Sequence, residues 1–100
     1  MLNVADIKTA VEQVVKDTKV IKVVLFGSYA KGSASESSDI DLYMINNGLI
    51  TGLAFFDLKA KFEDAFNVGI DLLPDLDVIP DSPVDKQINK YGVVVYERQG

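Results

Sequence analysis

Two strands joined by a small polar loop are predicted over residues 21–45, IKVVLFGSYAKGSASESSDIDLYMI. The run Ile21–Phe26 is apolar and rich in β-branched residues, which favours a strand that ends at Gly27. Residues 28–38 are mostly small and polar, which indicates a loop with a helical turn near Tyr29–Lys31. Apolar sequence resumes over Asp39–Ile45 and predicts a second strand. Because the connection is short, we expect the two strands to pair antiparallel.

The rest of the chain predicts helices and strands that can complete a sheet. Helical spacing of apolar residues predicts a helix from Val4 to about Val20 with Asn3 as its cap, and another over Leu53–Phe66. The remaining predicted segments are a strand at Val68–Leu73, a surface connection at Pro74–Pro83, a helix at Asp85–Tyr91 and a strand at Val93–Tyr96. This order predicts an α/β (α+β) fold, a small mixed β-sheet with helices packed on one face. We expect one domain over residues 1–100.

Composition excludes several kinds of site and partner. The sequence contains no cysteine and no histidine, so metal binding and acid–base chemistry must fall to carboxylates. A net charge of −5, with scattered basic residues, argues against direct binding of nucleic acid. No apolar run is long enough for a membrane span, and no signal peptide is evident. We therefore expect a cytoplasmic protein with no membrane partner.

Three aspartates, Asp39, Asp41 and Asp71, are the candidate catalytic and metal-binding residues. Asp39 and Asp41 are two residues apart, which on a strand places both side chains on one face, about 6.6 Å apart. Asp71 interrupts an otherwise apolar strand, where burial of a lone carboxylate is costly. If that strand lies beside Asp39–Ile45, the three carboxylates converge and a divalent cation would relieve their repulsion. The alternative for each acid is an exposed strand face, and Asp39 could instead cap a turn.

Four further residues are candidates for binding nucleotide phosphates. Gly27 would let the backbone approach a phosphate, and Ser28 offers a hydroxyl and an N–H group. Lys31 and Ser38 are the other two candidates. Simpler interpretations are a turn at Gly27 and Ser28, a solvated Lys31 and a turn-capping Ser38. Together with the acids, the four residues suggest phosphoryl or nucleotidyl transfer.

The pattern Gly27-Ser28-x-Ala30-Lys31-Gly32, six residues, then Asp39-x-Asp41-Leu42 resembles the signature of the DNA-polymerase-β-like nucleotidyltransferases. Within that superfamily, the chain looks most like the minimal nucleotidyltransferases, or MNT proteins. Asp71 falls where that family has its third acid, and Ile88–Tyr96 resembles its closing helix and strand. One difference is that Tyr29 and Lys31 stand where many relatives carry arginine.

The resemblance implies a nucleotidyltransferase fold that transfers AMP from ATP to a hydroxyl acceptor and releases pyrophosphate. It implies that Asp39, Asp41 and Asp71 bind two Mg²⁺ ions while Gly27 and Ser28 bind the terminal phosphates. Because MNT proteins are commonly paired with HEPN-domain toxins, the implied acceptor is a tyrosine of such a partner, and the implied role is that of an antitoxin. Two alternatives stay open: a non-catalytic antitoxin that neutralises its partner by contact alone, and transfer to a small molecule such as an aminoglycoside. The oligomeric state is left open.

Overall fold

Helices and strands alternate along residues 2–99, the part of the chain that the computed structural model describes. The elements are α1 (Val4–Val15), β1 (Lys22–Phe26), α2 (Gly27–Lys31), β2 (Ile40–Ile45), α3 (Gly52–Phe66), β3 (Ile70–Pro74), α4 (Pro83–Tyr91) and β4 (Val93–Glu97). A 3₁₀ turn, Asp75–Asp77, lies between β3 and α4. Among the helices of residues 2–99, none combines the length and the hydropathy that a membrane crossing requires.

The strands form a mixed four-stranded sheet in the order β3-β2-β1-β4. β1 pairs antiparallel with β2, as the short connection predicts, and it pairs antiparallel with β4 on its other side. β2 and β3 are parallel, so the chain must cross between opposite ends of the sheet, and α3 lies in this crossover. The predicted α/β (α+β) class, a small mixed sheet with helices, is confirmed. The expectation that the helices pack on one face is wrong, because Ile88 of α4 packs on the opposite face from α1 and α3.

Each face of the sheet has its own helical cover. On the first face, α1 and α3 pack against the strands, and the buried residues include Ile7, Val11, Val15, Leu58, Phe62 and Phe66 of the helices with Val23, Leu25, Ile40, Leu42, Met44, Ile70 and Leu72 of the strands. On the second face, α4 packs on β1 through Ile88, which contacts Val24 and Phe26. This cover is smaller, and Asp71 stays exposed on the second face. Part of that face is therefore open to ligands.

Helix α1 begins where the sequence predicts and ends earlier. The side chain of Asn3 accepts a hydrogen bond from the N–H of Asp6 at 2.8 Å, and Asp6 in turn accepts from the N–H of Asn3. The helix ends at Val15 and not near Val20, because Thr18 hydrogen-bonds the end of the helix. Its hydroxyl donates to the carbonyl of Val15 at 2.7 Å and accepts from the N–H of Val20 at 3.2 Å.

A polar network joins the end of β2 to the end of β3. Asn46 is fully buried, and its Oδ1 accepts a hydrogen bond from the N–H of Ile50 at 3.0 Å. The carboxylate of Asp75 accepts from the backbone N–H groups of Asn46 at 3.3 Å and Asn47 at 3.2 Å. The predicted surface connection Pro74–Pro83 therefore starts with residues that are tied to the sheet.

Replacing Asn46 with alanine is expected to lower the free energy of unfolding by about 2 kcal/mol, because the buried N–H of Ile50 loses its acceptor. Urea denaturation followed by circular dichroism measures this loss. The control Asn89→Ala removes only an exposed hydrogen bond to Asp85 and should cost less than about 0.5 kcal/mol. Equal losses in the two variants would contradict a structural role for the Asn46 network.

Candidate active site

Asp41 and Asp71 lie side by side on adjacent strands. They are direct partners in the parallel register of β2 and β3, so both side chains point to the same face of the sheet. Asp39 directly precedes β2, and its carboxylate lies against Gly69, which directly precedes β3. The structure thus brings the three predicted acids together on the face opposite α1 and α3.

Two glycines leave room for these carboxylates. A β-carbon at Gly27 would overlap Oδ2 of Asp41, and a β-carbon at Gly69 would overlap Oδ1 of Asp39. Gly27 also has a φ of 71°, in the left-handed region that favours glycine. Gly27 is a predicted site residue, whereas sequence reasoning missed the role of Gly69. The signal was present, because Gly69 and Asp71 repeat the two-residue spacing of Asp39 and Asp41.

Burial and the neighbouring like charges both disfavour the ionised form of Asp41. Partial burial, followed by the negative charges of Asp71 and Asp39, raises the pKa of Asp41 from 3.8 to about 6. Within residues 2–99, no trio of acidic side chains is gathered closely enough to form a ready metal site. The acids are arranged as an adjacent pair, Asp41 and Asp71, with Asp39 beside it. Their oxygen donors and shared negative charge nevertheless fit a hard divalent cation such as Mg²⁺.

The turn after β1 places two of the phosphate-binding candidates near the acids. Gly27 and Ser28 are the first residues of α2, and Gly27 lies against Asp41. The carbonyl of Ser28 accepts a hydrogen bond from the N–H of Gly32, a residue with a left-handed backbone that ends the short helix. This turn presents backbone near the acids, and binding of phosphate by Gly27 and Ser28 stays a prediction.

The other two candidates already make contacts of their own. The Nζ of Lys31 lies 5.0 Å from the centre of the Tyr91 ring, so this side chain is directed toward α4. The hydroxyl of Ser38 accepts a hydrogen bond from the N–H of Ser35 at 2.9 Å, as expected for a residue that stabilises a turn. Phosphate binding by Lys31 and Ser38 stays a prediction that requires these side chains to change partners.

Open space flanks the acids on two sides. A cavity of about 240 Å³ adjoins Gly27 and Asp41 and is bounded by Pro83, Val84 and Gln87 of α4. A groove of about 440 Å³ opens beside Asp71, between β3 and α3. The 3₁₀ turn, Asp75–Asp77, also lines this groove. Sequence reasoning did not identify the residues of α4 and of this turn as part of a site, because neither their spacing nor their composition indicates one.

The chain matches, over residues 8–100, the family model described as "Polymerase beta, Nucleotidyltransferase". The chain belongs to this family of nucleotidyltransferases. The matched range contains all of the predicted site residues, from Gly27 to Asp71. The resemblance to the minimal nucleotidyltransferases is confirmed by this match together with the relatives described next.

Similar proteins include one named for adenylyl transfer and chains of toxin–antitoxin complexes. A segment of 55 residues is 38% identical to a Methanocaldococcus jannaschii protein named "Putative protein adenylyltransferase", and it spans 55% of this chain and 64% of that protein. A chain from a toxin–antitoxin complex with AMP-PNP has a TM-score of 0.72 at 25% identity, over 98% of this chain and 76% of the other.

A further structural neighbour shows a likeness of fold alone. It comes from the complex of a tri-AMPylated Shewanella oneidensis HEPN toxin with an MNT antitoxin. The TM-score is 0.67 at 21% identity, over 91% of this chain and 70% of the other.

Replacing Asp41 with asparagine is expected to raise the melting temperature in metal-free buffer at pH 7 by about 4 °C. The exchange keeps the shape of the side chain and removes a like-charge contact that solvent screens to on the order of 1 kcal/mol. Differential scanning fluorimetry with a chelator measures the change. The control Asp64→Asn, on an exposed part of α3, should leave the melting temperature within about 1 °C. A lower melting temperature for Asp41→Asn would contradict the repulsion.

Proposed function

We propose that this chain is a Mg²⁺-dependent nucleotidyltransferase that transfers AMP from ATP to a hydroxyl group of a protein. The observation that carries the proposal is the register of β2 and β3, which sets Asp41 beside Asp71, while Asp39 lies against Gly69 on the same open face. A carboxylate with a raised pKa, here Asp41, that lies among other acids is typical of catalytic sites. Membership of the family supports the reaction class.

The three acids have roles that follow from their positions. Asp39 and Asp41 would hold two Mg²⁺ ions, with Asp71 sharing one of them, and the bound ions would supply charge stabilisation for the attacking and leaving oxygens. Gly27 and Ser28 hold the terminal phosphates of the nucleotide from the side of β1. Lys31 and Ser38 are proposed as further phosphate contacts at this side.

The proposed reaction is an in-line displacement at the α-phosphate. A bond forms between the acceptor oxygen and the α-phosphorus, and the bond from that phosphorus to the bridging oxygen breaks, so that pyrophosphate leaves. The proton of the acceptor hydroxyl passes to the exposed carboxylate of Asp71 and then to solvent. Gly27 and Ser28 keep the pyrophosphate end in place during the transfer, which maintains the in-line geometry.

The proposed acceptor is a tyrosine of a HEPN-type partner, which would make this chain an antitoxin that acts in the cytoplasm as one catalytic domain. The name of the M. jannaschii relative and the AMPylated toxin in the S. oneidensis complex support a protein acceptor. The structural neighbour from the toxin–antitoxin complex with AMP-PNP supports ATP as the donor. The net charge of −5 disfavours a nucleic-acid acceptor.

Transfer of label from [α-³²P]ATP to the HEPN-type protein encoded beside this chain tests the proposal. We expect Mg²⁺-dependent labelling on tyrosine, identified by mass spectrometry, and its loss on addition of a chelator. Asp39→Asn is expected to lower the rate about 10²–10³-fold, because it removes charge stabilisation in the transition state. Asp64→Asn, with the same change of charge on an exposed part of α3, should keep the rate of the parent chain.

Two results would count against catalysis, one from this assay and one from a parallel assay of the partner's toxic activity. One is the absence of label on the partner. The other is full neutralisation of the partner by Asp39→Asn, which would favour the antitoxin that acts by contact alone.

Gly69→Ala tests the position of Asp39 without removing any carboxylate. The added methyl group must displace the Asp39 side chain, and Gly69 is not among the residues with a positive φ, so the backbone accepts alanine. We expect the rate of label transfer to fall about 10²-fold, since small displacements of catalytic groups are costly. Circular dichroism should show a folded protein. An unchanged rate would show that contact between Asp39 and Gly69 is not needed for the reaction.

A further inference from the structure

A groove of about 440 Å³ runs beside β3 and opens at Asp71; we call it the edge groove. Its lining includes Phe55, Phe56, Lys59, Asp71, Pro74 and Leu76. β3 is an end strand of the sheet, so its outer backbone edge has no strand beside it within residues 2–99. Volumes of about 300–1,000 Å³ are typical of ligand-binding clefts. The size and position of the edge groove therefore suit a substrate of the acids.

Large apolar side chains at the edge groove are exposed to water. Phe56 is 66% exposed and Leu76 is 73% exposed, and the two side chains lie on opposite walls of the groove. Leu53, three residues before Phe56 on α3, is 83% exposed and extends the same apolar surface. Clusters of this kind mark surfaces that become covered in a complex.

The wall that carries Leu76 is held in place by hydrogen bonds. Asp75, the residue before it, accepts from the backbone N–H groups of Asn46 and Asn47 at 3.3 and 3.2 Å. A wall that is fixed before binding loses little conformational freedom when a ligand enters. The edge groove is therefore preorganised at this side.

The sheet order determines the side from which the acceptor approaches. In the order β3-β2-β1, the turn at Gly27 and Ser28 follows β1, while Asp71 and the edge groove lie on the far side of β2. An in-line displacement places the attacking and leaving oxygens on opposite sides of the phosphorus. With the pyrophosphate held at Gly27 and Ser28, the acceptor hydroxyl must enter from the side of β3. The edge groove opens there.

We propose that the edge groove binds the segment of the protein acceptor that carries the modified hydroxyl, and that this segment is apolar and bears net positive charge. This inference rests on the proposed function and assigns its docking surface. The charge follows from the lining, in which Asp71, Asp75 and Asp77 outnumber Lys59. A small polyhydroxylated acceptor would leave Phe56 and Leu76 in water, whereas an apolar segment covers them. An extended segment also gains hydrogen bonds along the outer edge of β3.

Three charge-introducing variants test the docking surface: Phe56→Asp, Leu76→Asp and the control Ile79→Asp. Ile79 is 71% exposed, nearly the same as Leu76, lies three residues further along the chain, and is outside the edge groove. All three changes place a carboxylate at an exposed position, and circular dichroism verifies that each variant is folded. Isothermal titration calorimetry then measures binding of the HEPN-type partner, with Asp39→Asn in every chain and without nucleotide, so that no modification occurs.

We expect Phe56→Asp and Leu76→Asp to weaken binding of the partner at least tenfold, and Ile79→Asp to change it less than twofold. The inference would be overturned if both groove variants bound the partner with the affinity of the parent chain. It would also be overturned if Ile79→Asp lost as much affinity as the groove variants, or if the parent chain did not bind the partner. If the parent chain is a dimer and Phe56→Asp converts it to a monomer without loss of partner binding, the groove binds a second copy of this chain. That result would also overturn the inference.

The binding measurement separates this inference from the proposed function. Weakened binding in the groove variants, together with no label transfer by the parent chain, would refute catalysis but still support the docking surface. Label transfer by the parent with full binding in the groove variants would support catalysis and refute the docking surface.

Discussion

The placement of two like charges side by side on parallel strands is the constraint on which the site depends. Asp41 and Asp71 are register partners, and the neighbouring pair Leu42 and Leu72 is buried on the other face. Burial of one leucine side chain contributes about 1.5–3 kcal/mol, whereas the solvent-screened repulsion of the acids is on the order of 1 kcal/mol. The core therefore holds the strands in a register that the acids alone would oppose. Because β2 and β3 are parallel, α3 has to connect them, and its packing on the core is part of the same support.

Much of this arrangement could be predicted from local sequence. β-Branched and aromatic runs define the strands, Asn3 marks the start of α1, and an aspartate within the apolar run at Asp71 indicates a site. The alternation of side chains along a strand also predicted that Asp71 would face away from Ile70 and Leu72, which are buried in the core. These features depend on residues close in sequence, where periodicity and capping are reliable guides.

The features that could not be predicted depend on contacts between distant segments. Pairing of Asp41 with Asp71, and of Asp39 with Gly69, requires the register of β2 and β3, and alternation alone leaves that register free by steps of two residues. The role of Asp75 also could not be predicted, because in the sequence it is one of several acids in a proline-rich connection. Its hydrogen bonds to the end of β2 are visible only in the structure. The ending of α1 at Val15 was missed because the hydroxyl of Thr18 competes with the helix for the last carbonyl.

Two features beside β3 lower the stability of the fold: the clustered carboxylates and the exposed apolar side chains. Both have a common explanation. Crowded carboxylates disfavour the folded state, and exposed Phe56 and Leu76 lose the gain that burial would give them. A sequence under selection for stability alone would separate the acids and replace the apolar residues with polar ones. Asp71, the register partner of Asp41, lines the edge groove together with the apolar side chains of its walls. A single bound substrate could therefore offset both costs, since its reacting group would meet the acids while the segment that carries it covers the apolar walls.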